Sequence, residues 1–313
     1  MAWSEADIPD QSGRIALVTG ANSGLGLETA RALAQRGATV LLACRQRSRG
    51  EAVRQQLLPQ ARAGLELVDL DLADLASVAS AASQVQREFG RLDLLINNAG
   101  VMAPPRTLSR DGFELQFAVN HLGHFALTAA LLPLLEQQRG ARIVTVSSGA
   151  HYFGRIAFDD LQGQRRYDPW SAYGQSKLAN VMMALELQGR LAAAGSSTLS
   201  IAAHPGLART NLQPSSVAAK GSWIEGLAYR LLDPLFQSAA MGALPQLHGA
   251  VAPQARGGAL YGPGGLANLG GWPVACRIAA AALDGNQRRR LWQVSEELCG
   301  LAAEKSGPGS RVV

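Results

Sequence analysis

Cysteine is scarce in this sequence of 313 residues, and the three that occur, Cys44, Cys276 and Cys299, lie far apart. An odd number of widely spaced cysteines gives neither a disulfide framework nor the short ligand spacing of a zinc site. His121 and His124 lie three residues apart but lack a third ligand in sequence, so packing or capping is expected. We therefore predict no metal and a reduced interior.

Long apolar runs and charge of one sign are also scarce. The longest apolar run, "ALTAALLPLL" (126–135), is about half of what a spanning helix needs and contains Pro133, so no transmembrane segment is predicted. The start of the chain, "MAWSEADIPDQSG" (1–13), lacks the basic and then apolar pattern of a signal peptide. A cytoplasmic location is therefore expected. The net charge of +5 is modest and dispersed, which argues against nucleic acid as a partner.

Short apolar runs alternate with longer helix-favouring stretches through the first two hundred residues. Strands that are apolar on both faces, alternating with helices, are typical of a parallel sheet covered by helices on both sides. We predict a single-domain, doubly wound α/β (Rossmann) fold with about seven strands and helices on both faces. The predicted strands are 15–19, 39–43, 65–70, 92–96, 142–147, 199–204 and 257–263.

The same alternation sets the predicted boundaries. Residues 1–12 form an N-terminal extension, 13–305 the domain, and 306–313 a disordered tail rich in Gly and Ser. The alternation fails over residues 207–256, which we assign as a substrate-lid segment. Within it, residues 221–244 carry apolar side chains at helical spacing. A helix packed on the core explains them, and so does an apolar lid that touches a lipophilic substrate or a membrane surface.

The first predicted strand runs into "TGANSGLG" (19–26), and a predicted helix follows at once. Glycines at this point permit a tight turn and let backbone N–H groups approach a pyrophosphate at the helix N-terminus. Ligands of doubly wound folds bind beyond the carboxyl ends of the strands, so the position supports dinucleotide binding. The predicted contacts here are Gly20, Asn22, Ser23, Gly24, Leu25 and Gly26.

Tyr173 and Lys177 lie four residues apart in "SAYGQSK" (171–177), which puts them on one face of the helix that follows. A snorkelling surface lysine is the ordinary explanation of such a pair. The alternative is chemical. A tyrosine with its ordinary pKa of about 10 exchanges protons poorly near neutrality, and a cation one turn away lowers that pKa.

Six motifs occur in the order found in the short-chain dehydrogenase/reductase family, which this sequence resembles over about residues 13–300. They are "TGANSGLG" (19–26), "NNAG" (97–100), "VNHLGHF" (119–125), "VSS" (146–148), "YGQSK" (173–177) and "HPG" (204–206). Three longer stretches are similar to the retinol-dehydrogenase-like branch of that family: "ACRQRSRGE" (43–51), "LDLADLASV" (70–78) and "AYGQSKLAN" (172–180).

The resemblance implies interconversion of an alcohol and a carbonyl by hydride transfer. Tyr173 would be the general acid/base, tuned by Lys177, which would also hold ribose hydroxyls of the cofactor. Ser148 would hydrogen-bond the substrate oxygen, and Asn120 would position a water in a proton relay. Ser147 and Ser148 point in opposite directions if they lie on a strand, and the family pattern matches Ser148 better.

The resemblance also implies further cofactor contacts. Asp71 and Leu72 would lie at the adenine, the NNAG turn would pack beside the cofactor, and the segment after the sixth strand would lie near the nicotinamide. The residues concerned are Asn97, Asn98, Ala99 and Gly100 of the turn, and Pro205, Gly206 and Thr210 of the later segment.

The second predicted strand ends without the acidic residue that usually binds the ribose of NAD in this fold. Arg45 stands there instead, 19 residues after Gly26 (45 − 26), where a guanidinium suits a 2′-phosphate. An exposed residue at a helix start is the alternative. We predict NADP (NADPH) as cofactor and a small-molecule alcohol or carbonyl, of lipophilic character if the lid exists, as substrate.

Two other functions fit the same motifs. A non-catalytic NADP(H)-sensing or scaffold protein would keep the fold without turnover, although it would have no need of a tuned phenol. A carbon–carbon double-bond reductase resembling protochlorophyllide reductase would share the Tyr/Lys pair. The sequence also leaves open whether the chain forms a homo-oligomer.

Overall fold

A computed structural model describes residues 2–208 and 236–301, and in this part of the chain eight strands form one sheet. The strands are β1 (Ile15–Thr19), β2 (Thr39–Cys44), β3 (Leu65–Asp69), β4 (Leu94–Asn97), β5 (Arg142–Val146), β6 (Leu199–Ala203), β7 (Leu260–Pro263) and β8 (Pro273–Ala275). Their order is β3-β2-β1-β4-β5-β6-β7-β8, parallel from β3 to β7, with β8 antiparallel at the edge. The predicted doubly wound α/β fold is confirmed, and all seven predicted strands are present.

Eight α-helical elements accompany these strands in the described residues. They are α1 (Gly24–Gln35), α2 (Arg47–Leu57), α3 (Leu75–Glu88), α4 (Leu115–Glu136), α5 (Pro169–Ala193), α6 (Ala239–Val251), α7 (Ala280–Leu283) and α8 (Gly285–Leu298). Short 3₁₀ turns lie between some of them, including Gly149–Tyr152 directly after β5.

The apolar strands bury both faces because helices cover both sides of the sheet. Along β1, Ala16 and Val18 belong to the core beneath α1, α2 and α6, whereas Leu17 belongs to the opposite core. That second core packs under α3, α4 and α5. Alternation of period two in a fully buried strand explains why the sequence runs are continuously apolar.

Helix α4 is long and apolar enough to cross a membrane, and it is the one such helix among the described residues. Its mean hydropathy is 1.4, but 72% of the qualifying stretch is buried inside the protein. It packs against α3 and α5, as the core helix of a globular domain does. The hydrogen bonds of α4 shift to π-helical spacing at Ala118–Leu122.

The predicted lid segment is described only in part. Residues 209–235 lie outside the described residues, and with them Thr210 and most of the apolar pattern of 221–244. Of the remainder, α6 packs against α1 and the sheet and belongs to the core. Ala208, the last described residue before this gap, pairs with Gln237, close to where the description resumes, as a parallel β-bridge. The Gln237 N–H donates to the Leu207 carbonyl at 2.9 Å.

The N-terminal extension is attached to the domain. Ile8 is buried, and Glu5 pairs with Arg31 of α1 at 2.7 Å. A second contact is the edge-to-face packing of Trp3 on His248. The described part of the extension, residues 2–12, therefore contacts both α1 and α6.

Candidate active site

Two adjoining cavities open at the carboxyl ends of the central strands. Their volumes are about 570 and 290 Å³, and both are lined by Leu25, Asn98 and Gly100. They lie where the chain order reverses, since β1 has β2 on one side and β4 on the other. Ligands of doubly wound sheets bind at this switch point.

The smaller cavity gathers most of the predicted cofactor residues. Those that line it are Gly20, Asn22, Ser23, Gly24, Leu25, Arg45, Asp71, Leu72, Asn98, Ala99 and Gly100. Gly26 and Asn97 lie behind its wall: a Cβ at Gly26 would collide with the Gly20 carbonyl, and Asn97 donates to Thr128 at 2.9 Å inside the core.

The glycine-rich turn has the shape that a pyrophosphate requires. Gly20 and Gly24 have φ values of +65° and +54°, which favour glycine over other residues. Ser23 precedes α1 and makes no side-chain capping hydrogen bond, so the first-turn N–H groups of α1 can meet an anion. These residues fit a dinucleotide cofactor.

The surroundings of Arg45 differ from those of its neighbour Arg47. Arg47 is paired with Asp69, with Nη1 and Oδ2 2.8 Å apart. Arg45 follows β2 directly, is exposed, and makes no ion pair with any described residue. Its guanidinium is thus available to an anionic ligand at the rim of the smaller cavity.

Asp71 also lines the smaller cavity. Its Oδ1 accepts from the Ala73 N–H at 3.0 Å. The N-terminal cap of α3 is a different acidic residue, Asp74, whose side chain accepts from the N–H groups of Ala76 and Ser77.

The larger cavity holds Ser148, Tyr173 and Lys177 together with Pro205 and Gly206. Most of the other lining side chains are apolar, namely Leu25, Met102, Phe153, Trp170, Leu207, Phe236 and Leu269. Ser148, Tyr173 and Lys177 therefore share a cavity whose walls are mostly apolar.

Tyr173 and Lys177 face this cavity from the first turns of α5. The helix begins at Pro169, and Asp168 caps it by accepting from the Ser171 N–H at 2.8 Å. The Lys177 Nζ lies 5.8 Å from the centre of the Tyr173 ring and donates to the Val146 carbonyl at 3.2 Å. Burial lowers the pKa of Lys177 to about 8, which leaves the amine mostly protonated at neutral pH. A cation thus stands beside the phenol.

The adjacent serines after β5 have different surroundings. Ser147 is buried, and its hydroxyl donates to the Lys177 carbonyl at 2.7 Å. Ser148 Oγ accepts from the Ala150 N–H at 3.3 Å, which leaves its hydrogen able to reach a substrate oxygen. Both serines line the larger cavity, and only the Ser147 hydrogen is committed to a backbone carbonyl. The choice of Ser148 as the substrate-facing member stays a prediction.

Asn120 lies in the π-helical turn of α4, behind the cavities rather than on them. Its Oδ1 accepts from the Val101 N–H at 2.8 Å, and its Nδ2 donates to the Val101 carbonyl at 3.0 Å. The same Nδ2 donates to Ser176 Oγ at 2.9 Å. The water-positioning role of Asn120 stays a prediction. The sequence did not predict its hydrogen bonds to Val101 and Ser176. The one hint was the asparagine itself, a residue that is unfavourable inside a helix unless its side chain has a partner.

The histidines of "NHLGHF" are buried and have separate hydrogen-bond partners. His121 Nε2 lies 2.8 Å from Ser295 Oγ of α8, and His124 Nε2 lies 2.9 Å from Thr19 Oγ1. Within residues 2–208 and 236–301, no three His, Cys, Asp or Glu side chains come together as a metal site.

The structure thus brings a strand-end glycine turn, an arginine after β2 and a Tyr/Lys pair near a serine to two adjoining cavities, which is the arrangement that the sequence predicted for a dinucleotide-dependent oxidoreductase. The model of the "short chain dehydrogenase" family matches residues 14–221. The chain belongs to this family, whose members are oxidoreductases that bind NAD or NADP. It falls in the retinol-dehydrogenase-like branch.

Two relatives show how far the likeness extends. Retinol dehydrogenase 12 of Mus musculus is 40% identical over 297 residues, covering 93% of this chain and 88% of the relative. Retinol dehydrogenase 13 of Homo sapiens is 40% identical over 312 residues, covering 96% and 88%.

Solved structures agree with the fold. A crystal structure of an uncharacterized protein from Mycobacterium paratuberculosis has a TM-score of 0.80 and 42% identity, covering 96% of this chain and 98% of its own. A crystal structure from Beutenbergia cavernae with bound NADP at low occupancy has a TM-score of 0.62 and 26% identity, covering 77% and 91%.

Proposed function

We propose that this protein is an NADP(H)-dependent oxidoreductase that interconverts an alcohol and a carbonyl. The observation that carries the proposal is the buried Lys177 amine beside Tyr173, in a mostly apolar cavity that Ser148 also lines. A protein that only sensed the cofactor would gain nothing from a cation held against a phenol in this chamber.

The residues present divide the task between binding and proton transfer. The glycine turn and the α1 N-terminus would hold the diphosphate, Arg45 the 2′-phosphate, and Asp71 the adenine. When bound, the cofactor supplies or accepts the hydride. Lys177 would hydrogen-bond the hydroxyls of the nicotinamide ribose.

In the reducing direction, negative charge develops on the carbonyl oxygen. Ser148 stabilises that charge by donating a hydrogen bond, and Tyr173 donates the proton that neutralises it. Lys177 favours the phenolate that Tyr173 leaves behind, because an opposite charge nearby stabilises the ionised form. In the oxidising direction, the same phenolate removes the proton from the alcohol.

Arg45→Ala tests the choice of cofactor. A hydrogen bond between charged groups contributes about 1.5–3 kcal/mol, so we expect NADPH to bind roughly ten- to a hundredfold more weakly. NADH lacks the 2′-phosphate, so its affinity should be nearly unchanged. Fluorescence titration of both cofactors against both proteins measures the difference.

Arg47→Ala is the matched control, because Arg47 is equally basic and close by but is already paired with Asp69. It should leave the preference for NADPH over NADH within about threefold of the original, the scale of an exposed ion pair. Equal losses for NADPH and NADH in Arg45→Ala would show that Arg45 does not recognise the phosphate.

A series of straight-chain aldehydes tests the substrate class. The walls of the larger cavity are mostly apolar and enclose about 570 Å³, so kcat/KM should rise with chain length. The expected gain is up to about 0.8 kcal/mol for each methylene that becomes buried. Aldoses of matched carbon number are the control, and a flat aldehyde profile or a preference for the sugars would refute a lipophilic substrate.

The cytoplasmic location predicted from the sequence belongs to the proposal. It is supported by the free thiols of Cys44, Cys276 and Cys299, none of which forms a disulfide in the described residues. Fractionation of cells that express the full chain measures it directly: recovery with the membranes would contradict it.

A further inference from the structure

One fully buried histidine joins the turn at the end of β1 to the π-helical turn of α4. His124 Nε2 lies 2.9 Å from Thr19 Oγ1, and His124 Nδ1 lies 3.1 Å from the backbone carbonyl of Asn120. Both nitrogens of the ring are therefore engaged, one toward the cofactor-binding turn and one toward the predicted catalytic asparagine.

The partners determine the tautomer. A carbonyl oxygen can only accept a hydrogen bond, so the Nδ1 of His124 must be protonated and donate to the Asn120 carbonyl. Nε2 is then an acceptor for the hydroxyl hydrogen of Thr19. Thr19 Oγ1 already accepts from the N–H groups of Asn98 and Ala99, each at 2.9 Å. The other acceptor near that hydroxyl, the Ile96 carbonyl, is farther away at 3.3 Å.

This tautomer is maintained because the ring stays neutral. Burial lowers the pKa of His124 to about 4, and the nearby charge of Lys177 contributes to the shift. A protonated ring would need acceptors on both nitrogens, and the Thr19 oxygen already accepts two hydrogen bonds. The hydrogen bonds thus run in one direction, from the NNAG turn through Thr19 and His124 to Asn120.

Asn120 connects His124 to the residues around Lys177. Its side chain is hydrogen-bonded to both backbone groups of Val101. Its Nδ2 also donates to the hydroxyl oxygen of Ser176, the residue before Lys177. A Cβ placed on Gly100 would lie 3.0 Å from Asn120 Oδ1 and 3.3 Å from Lys177 Nζ. The asparagine and the lysine therefore flank the same glycine, which lines both cavities.

We infer that His124 is a positioning residue. As the Nδ1–H tautomer it holds the Asn120 carbonyl relative to Thr19, and through Asn120 it sets where Gly100 and Lys177 lie. The effect on turnover rests on the proposed function, whereas the tautomer and its protection from solvent do not.

Nitrogen-detected NMR of the uniformly ¹⁵N-labelled full chain tests the geometry without any turnover. His124→Asn assigns the His124 signals by their loss. The expected result is one protonated Nδ1, slow to exchange with water, and one unprotonated Nε2, with no titration between pH 5 and 8. A protonated Nε2, or averaging of the two nitrogens, would overturn the inference.

Two substitutions separate the ring nitrogens in kinetics. The amide of Asn reaches the position of Nδ1 and that of Gln the position of Nε2. We therefore expect His124→Asn to keep kcat within about threefold and His124→Gln to lower it about tenfold, the scale of one hydrogen bond. KM and the dissociation constant for NADPH should change less than twofold in both, roughly within the error expected for a site left intact.

His121→Gln is the matched control, because His121 is equally buried in the same helix but its Nε2 lies beside Ser295 of α8 instead of Thr19. It should lower the melting temperature and leave kcat within about twofold. Equal kcat losses in His121→Gln and His124→Gln, or in His124→Asn and His124→Gln, would refute a positioning role. If none of the carbonyls supported NADPH oxidation by the unmutated protein, the proposed function would fail. The NMR result would still decide the tautomer of His124.

Discussion

Tyr173→Phe is expected to lower kcat about a hundredfold or more, because general acid–base catalysis contributes on that scale. The phenol of Tyr173 reaches the same cavity as Ser148 and lies beside the Lys177 cation. Phenylalanine keeps the ring and its edge-to-face contact with Trp170, whose centroid is 6.1 Å away. Stability and NADPH affinity should therefore change little while the proton donor is lost.

Tyr152→Phe makes the same chemical change in the same cavity. Its hydroxyl donates to the Arg277 carbonyl at 2.7 Å, away from Ser148 and Lys177. Turnover of this variant should stay within a few-fold of the original, followed as carbonyl-dependent NADPH oxidation. If Tyr173→Phe also stayed within a few-fold, the assignment of Tyr173 as acid/base would be wrong.

Ser148→Ala is expected to lower kcat by about a hundredfold, the cost of removing one donor to a developing oxyanion. Ser148 opens on the cavity at the start of the 3₁₀ turn Gly149–Tyr152. Because its Oγ accepts from a local N–H, the hydroxyl hydrogen remains for the substrate. The loss should appear in kcat and in kcat/KM together, since the hydrogen bond strengthens mainly in the transition state.

Ser147→Ala distinguishes this role from a general disturbance of the strand end. Its hydroxyl serves the Lys177 carbonyl, so its removal should cost about 1 kcal/mol of stability. Thermal denaturation should record that cost, while kcat stays within a few-fold. The reverse ranking of the two variants would make Ser147 the substrate-facing serine.

The sheet was predictable because its signals are local. Each central strand is a short apolar run bounded by a turn, and the residues that end β1, β5 and β6 carry short motifs. Strand β8 was not predicted, since three residues at an exposed edge, with Pro273 first, carry no apolar alternation. Its position depends on pairing with β7, which is a tertiary contact.

The support behind the site was less visible, because it depends on contacts between distant segments. Glu114 caps α4 and is buried, where it also accepts from the Tyr167 hydroxyl at 3.2 Å. Gln116 adds a hydrogen bond to the Pro169 carbonyl at 2.9 Å. These residues join the start of α4 to the start of α5 across some fifty positions in sequence, a separation that no local pattern reports.

The bridge between Ala208 and Gln237 has a consequence for how such chains diversify. Gln237 also donates to the Pro205 carbonyl at 2.7 Å, so Ala208 and Gln237 are fastened to each other and to the residues after β6 by contacts among described residues. The two points at which the described chain stops and resumes therefore have hydrogen bonds of their own beside the site. Relatives that differ in sequence between these two points can share the same strand end and the same cofactor-binding residues.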